Sequence, residues 1–236
     1  MNKPANTTKT TAWNMPLLAD QAQKLRTDIT HHNNRLNETK GDYTPAGLEK
    51  LREQRTAPLR ERIQELSTTA TQWKDAATQK TRTIRGNQFP TAEPGTTAAL
   101  HAEMQMARIL GRGKISSEHA QQFFDMEPSP TRTLLIEELQ ARGVISADTI
   151  EANLLNTCEE YREAKSTAET SQTAHATFTN QLNALNSAIA NGHEEPGSTV
   201  WHDIDMNKIP GASTAYDVET PTTYWDMPTS QFGIRN

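Results

Sequence analysis

Apolar residues recur at steps of four and three along three long stretches of this chain. The first is Leu18, Ala22, Leu25, Ile29, His32 and Leu36, a heptad seam that predicts an amphipathic helix able to pair with another. Asn14 marks its start as an N-cap, with Trp13 before it and Leu18 after it as a hydrophobic staple. The segment "ETKGDYTPAG" interrupts the pattern and "YTPAGL" restarts it. There Thr44 caps, Pro45 supplies its fixed φ at N1, and Tyr43 staples to Leu48. The second seam reads Leu48, Leu51, Arg55, Leu59, Ile63, Leu66, Ala70, Trp73 and Ala77, and its extra four-residue steps near Leu59 resemble an eleven-residue stutter. Pro58 lies inside the stutter and predicts a kink, with Thr56 as a fresh cap.

The pattern fades at "TRTIRGNQFPTAEPGT", and three or four short helices follow. "TTAALHAEMQMARIL" is expected to end at Gly111 as a left-handed C′ residue, and "SSEHAQQFFDM" ends before Pro128. "SPTRTLLIEELQAR" opens with Ser129 as cap and Pro130 at N1, then closes at Gly143. Leu100, Met104, Met106, Ile109, Phe123, Phe124, Leu134, Leu135 and Leu139 are the apolar residues available for a small core there. Ser146 then caps a third seam, from Ile150 and Leu154 through Thr157, Tyr161, Ala164, Ala168, Ser171, His175, Phe178, Leu182 and Leu185 to Ile189. An unbroken helix over that span is about 60 Å long, roughly the length of the one that starts at Pro45. Two equal helices separated by a compact insert predict an all-α fold: an elongated antiparallel helical hairpin or coiled coil with a small helical tip and extended N- and C-terminal arms. The expected organisation is an arm over 1–14, two stalk helices over 15–86, a short-helix tip over 87–145, a long return helix over 146–191 and a second arm over 192–236.

The arms carry a repeat. "TAWNMPLL" near the start and "TYWDMPTS" near the end share Trp-[Asn/Asp]-Met-Pro, a coincidence expected on the order of once in 10^5 chains of this composition. The last forty residues have no helical or strand period, yet they are too apolar for an inert linker. Trp and Met form large, adaptable interface anchors, and Pro stiffens a peptide before it docks. Trp13, Met15, Trp201, Met206, Tyr224, Trp225, Met227 and Phe232 are therefore the candidate partner-binding residues.

Composition narrows the function. Hydrophobic residues make up 34% of the 236, and mean hydropathy is -0.77, which is thin for a thick core and favours an elongated helical protein. No apolar run approaches the roughly eighteen residues of a membrane span. The start "MNKPANTTKTT" has no h-region of a secretion signal, and the single Cys158 permits no internal disulfide, so synthesis in the cytosol is expected. Charge is divided: residues 1–86 hold 15 Lys+Arg against 9 Asp+Glu, and residues 87–236 hold 9 against 20. Opposite halves of this kind suit packing on each other or on neighbouring copies.

Candidate chemistry adds little. "GRGKIS" lacks the Gly and the Ser or Thr that a phosphate loop requires around Gly113 and Lys114. "ELQARGVISADTIEANL" has a helix-turn-helix outline, but Asp148 and Glu151 occupy the start of the recognition helix, where phosphate would lie. No His pair has metal-ligand spacing, and "WHDID" puts His202 opposite Asp203 and Asp205 on a strand. Cys158 sits on an acidic flank beside Glu159 and Glu160, where a thiolate is disfavoured. His32 and His175 fall on seam positions, either as neutral core residues or as a pH-sensitive register. No catalysis, cofactor or metal is expected.

Over "GDYTPAGLEKLREQRTAPLRERIQELSTTATQWKDAA" the chain resembles helical-hairpin structural proteins of tailed bacteriophages and prophages, in which a Thr-Pro capped turn starts a long Lys/Arg/Glu helix. The likeness spans about 35 residues and transfers no site residue. It implies a virion or assembly role, associated with the head or the head-tail connector, in a virion or the host cytoplasm. The expectation is a non-enzymatic structural protein whose arms clasp neighbouring subunits, its partners being copies of itself or other virion proteins, with no membrane. The alternative is a cytosolic regulator that binds nucleic acid through the basic helix over 45–86, at Lys50, Arg52, Arg55, Arg60, Arg62, Lys74, Lys80, Arg82 and Arg85.

Overall fold

Asn14 stands where one kind of backbone gives way to another. Strand β1 (Thr8–Trp13) ends before it and helix α1 (Met15–Glu38) begins after it, its Oδ1 accepting a 2.9 Å hydrogen bond from the Leu17 N–H. The computed structural model describes residues 8–111, 116–191 and 205–221. After α1 come α2 (Pro45–Gln88), α3 (Thr97–Leu110), α4 (Ser117–Phe124), α5 (Pro130–Ala141), α6 (Ala147–Thr157), α7 (Glu159–Asn191) and strand β2 (Tyr216–Pro221). The protein is all-α, with one two-stranded sheet among the described residues. It divides into two compact units, Met1–Ala77 with Thr167–Asn236, and Thr78–Ser166. The second is wider than the tip read from the sequence.

In the first unit α1 and α2 run antiparallel through a 3-10 turn at Lys40–Asp42, and Arg62 of α2 meets Asp28 of α1 at 2.6 Å. Thr44 caps α2 as expected, accepting from the Gly47 N–H at 3.2 Å, whereas Tyr43 stays exposed. The second half of α7 completes a three-helix core in which Leu18, Leu25 and Ile29 pack with Ile63, Leu66 and Trp73 and with Phe178, Leu182 and Leu185. Each such side chain contributes about 1.5–3 kcal/mol by leaving water. The seams shift locally by one residue. Asn33 is buried in place of His32, Thr56 in place of Arg55, and Ala174 in place of His175. Asn33 Nδ2 donates to the Ala188 carbonyl at 3.3 Å, a polar tie between α1 and α7. Thr56 is no fresh cap: α2 continues through Pro58, and the Thr56 hydroxyl donates to the Glu53 carbonyl. Ile63 lies in the core with Leu59 packed against it on one side of Pro58, and Thr56 is buried on the other, so packing offsets the missing donor.

In the second unit Phe123 and Phe124 of α4 pack with Leu135, Ile136 and Leu139 of α5 and with Ile145 and Ile150. Ser129 caps α5, accepting from the Arg132 N–H at 3.3 Å, and Gly143 takes the left-handed backbone, φ 68°. Gly111 does not; its φ is -71°. Leu100 and Met104 are 59% and 64% exposed, not core as expected, because α3 turns Ala102 inward and these two positions lie about 200° round the helix from it. The long return helix is broken. Cys158, φ -115° and ψ 100°, separates α6 from α7. The break is chemically closed: Arg162 Nε donates to the Leu155 carbonyl at 2.7 Å, and its Nη2 donates to that of Asn156 at 3.3 Å, satisfying acceptors that a continuous helix would have used. Glu159 and Glu160 stand in the first turn of α7, where the helix dipole favours carboxylates.

Candidate functional site

The two ends of the described chain meet. β1 and β2 pair antiparallel from Thr8 opposite Pro221 to Trp13 opposite Tyr216. β2 is delivered by a 3-10 turn at Met206–Lys208 and a left-handed Gly211, φ 77°. A Cβ at Gly211 would lie 2.5 Å from Thr170 Oγ1, so the close approach to α7 requires glycine. The segment is then bonded down: the Met15 N–H donates to the Ala212 carbonyl at 3.0 Å and Trp73 Nε1 to the Thr214 carbonyl at 2.9 Å. The Tyr216 ring meets Trp73 edge-on at 6.0 Å.

This seat decides the standing of the candidate anchors. Trp13 is 7% exposed, Met15 0% and Met206 2%, all packed with the first unit's own core. In this structure they are buried within the chain and not presented on its surface, which corrects the expectation of exposed anchors for these three. Trp201, Tyr224, Trp225, Met227 and Phe232 lie outside the described residues. The arms read singly as aperiodic because the strands are six residues each, and the partner that turns Tyr216 and Val218 inward is two hundred residues away.

A cleft of about 630 Å³ opens where α1 turns into α2, lined by Leu36, Pro45 and Leu48 and by Lys40, Arg52 and Arg60, with Glu49 and Glu53 among them. Its cations and carboxylates alternate, and no His or Cys lines it. Lys50, Arg52, Arg55 and Arg60 make no ion pair with another described residue. His32 is half-buried near Arg52 and Arg55; burial first, then both guanidiniums, push its pKa below the usual histidine value. His175 is lowered by burial and by Lys74, against a smaller opposing effect of Asp75.

Among the described residues, a dense polar cluster surrounds Glu151 in the second unit. Arg85 Nη1 donates to it at 2.8 Å, Tyr161 Oη at 3.0 and 3.1 Å, and Lys165 Nζ completes the set. Burial alone would raise the Glu151 pKa, but the hydrogen bonds from Lys165 and Tyr161 and the charges of Lys165 and Arg85 hold it below the ordinary carboxylate range. A carboxylate engaged by three donors in this way ties α6 to α2 and α7. Close by, Arg132 is 4% exposed, with its guanidinium 5.5 Å from the Phe89 ring.

Two hydroxyl–imidazole pairs occur among the described residues. Thr71 Oγ1 lies 3.3 Å from His175 Nε2, but the Thr71 hydroxyl donates to the Ser67 carbonyl at 2.9 Å, so its proton is committed elsewhere. Ser116 Oγ lies 3.0 Å from His119 Nδ1 on an exposed helix start, where the Ser116 N–H donates to the same nitrogen. Neither imidazole has a carboxylate hydrogen-bonded to its other nitrogen, the orienting partner that nucleophilic catalysis uses. Among the described residues no group of three or more His, Cys, Asp or Glu is placed to hold a metal ion, and no helix is long and apolar enough to cross a membrane. No protein-family model matches the chain, and neither does any curated protein or solved structure.

Proposed function

We propose that this chain is a non-enzymatic structural protein that works by holding other chains in an assembly, of which the tailed-phage particle is the one implied by the resemblance around residues 41–77. The observation that carries the reading is the pairing of Thr8 with Pro221. It sets Pro221 beside Thr8 in a strand bonded to the first unit, and the sequence that follows Pro221 contains Tyr224, Trp225, Met227 and Phe232. A tail anchored in that way adds binding through effective concentration, without a broad flat interface. The polar clusters support the same reading, because their groups are engaged with one another. The test is absolute mass by light scattering over a wide concentration range. The full chain is expected to associate and a chain ending at Pro221 to remain a monomer; equal, monomeric masses for both would overturn the reading.

A second reading has its own observation. The unpaired Lys50, Arg52, Arg55 and Arg60 on one helix could follow a phosphate backbone. Salt-dependent retention of duplex DNA would favour it, and no retention at low salt would dismiss it.

A further inference from the structure

The fold gives one Trp-x-Met-Pro copy a seat, and the other copy lies outside the described residues. Aligned on their tryptophans, the copies agree over a longer block: Thr10-Thr11-Ala12-Trp13-Asn14-Met15-Pro16 against Thr222-Thr223-Tyr224-Trp225-Asp226-Met227-Pro228. Five of the seven positions are identical, and a sixth exchanges Asn for Asp, which caps a helix equally well. The two Thr carry less weight, because Thr is abundant in this chain. The other repeated positions each have a physical role in the first copy. Trp13 closes the strand and is buried, and the Asn14 side chain takes the Leu17 N–H. Met15 is fully buried and its N–H is held by Ala212, and Pro16 sits in the first helical turn, where no donor is needed. The block ends where the seam of α1 begins: Leu18, a core residue, has Ser230 as its counterpart. The duplicated part is strand, anchors and cap, without the helix.

We infer that residues 222–228 are a second plug for this seat and that they fill it on another copy of the chain, in place of that copy's residues 10–16. The inference rests on the assembly reading and names its partner and surface. The chain's own seat is out of reach. Trp13 lies opposite Tyr216, and Pro221 lies opposite Thr8 at the other end of the ribbon, five residues or about 17 Å away at ~3.4 Å per residue. From Pro221 the four residues to Trp225 extend at most about 14 Å, and Thr222 follows directly with no residues for a turn. On a second copy there is no such tether. The resident strand is held along one edge by six paired positions, so it can peel from the Thr8 end together with Asn14, Met15 and Pro16, opening only the first turn of α1 and leaving the rest of the helices in place. Each exchange leaves one tail placed and one N-terminal strand displaced, so copies join reciprocally as a twofold pair or successively as a ring or filament.

The test uses the full-length chain carrying Trp225→Ala and Met227→Ala, which removes the competing plug and touches no described residue. A fluorescent peptide of residues 222–236 is titrated into it, with hydrogen exchange followed along the chain. Saturable binding is expected, at least tenfold weaker for a peptide carrying the same two alanines, together with loss of amide protection over 8–13 while 216–221 stay protected. Removing the resident anchor with Trp13→Ala is expected to tighten the peptide at least tenfold; if that variant does not fold, the titration into the Trp225→Ala, Met227→Ala chain still decides. No binding up to ~1 mM, the effective concentration of a tethered competitor, overturns the inference, as does binding that leaves 8–13 protected or ignores the Trp and Met. The mass of the unsubstituted chain, measured in parallel, separates the two claims. Association without peptide binding overturns the exchange and leaves the assembly reading standing, whereas a chain that is monomeric throughout and binds no peptide overturns both.

Discussion

At the residue scale, single positions do what helix periodicity alone does not specify. A strict heptad places His32, Arg55 and His175 on the seams, but the buried residues are their neighbours Asn33, Thr56 and Ala174. The reason is geometric: α1 packs against two helices, so its buried face is broader than a two-helix seam and follows 3.6 residues per turn. The displaced imidazoles end half-buried, with pKa values lowered chiefly by burial. A histidine whose folded pKa lies below its unfolded 6.5 takes up its proton more readily in the unfolded chain. Stability is therefore full above about pH 6.5 and falls as pH drops through the folded pKa values. Urea midpoints measured between pH 7.5 and 5 are expected to decline on the acid side and to decline less for His32→Gln, His175→Gln; identical profiles would remove the histidines from the account. Gly211 is the opposite case, a position no hydrophobic pattern marks. Gly211→Ala combines a left-handed backbone with a Cβ 2.5 Å from Thr170 Oγ1, whose hydroxyl is held by the Thr167 carbonyl. A loss of at least about 2 kcal/mol in chemical unfolding is expected.

At the scale of elements, starts were more legible than continuities. The caps at Asn14, Thr44, Thr96, Ser129 and Ser146 all accept from the backbone N–H three residues on, because a short oxygen-bearing side chain before an apolar run has one efficient use. The break at Cys158 was not legible from the seam, since Leu154 and Tyr161 keep heptad spacing across it and both remain buried. The signal lies off the seam, in an acidic pair that suits a helix start and an arginine three residues later that can cover the preceding carbonyls. Pro58 shows the reverse, a breaker overruled by packing. Restoring the missing donor with Pro58→Ala is expected to stabilise the chain by about 1–3 kcal/mol, read from the urea midpoint at constant slope. An unchanged or lowered midpoint would mean that the proline ring itself is needed where it packs.

At the scale of the molecule, the helical class was readable from periodicity, and the meeting of the chain ends was not. Strand pairing between Thr8–Trp13 and Tyr216–Pro221 is a relation between distant segments, too short to leave a period in either. Once the ends are joined, the repeat near them divides into a copy that is used and a copy that cannot reach the chain's own seat. That asymmetry is the physical basis for reading the protein as one that joins copies of itself. A disulfide trap tests it most directly. Ala12 and Asp217 face each other in the ribbon, both exposed, and Tyr224 is the counterpart of Ala12 in the repeat. In a Cys158→Ser background, Ala12→Cys with Asp217→Cys is expected to close a bond within one chain, since opposed strand residues meet the distance a disulfide needs. Asp217→Cys and Tyr224→Cys are carried on separate chains, neither of which can then bridge to itself, and mild oxidation of the mixture is expected to give a covalent dimer on a non-reducing gel that neither variant gives alone. Only monomer from the mixture, with the first pair bridging normally, would contradict the account.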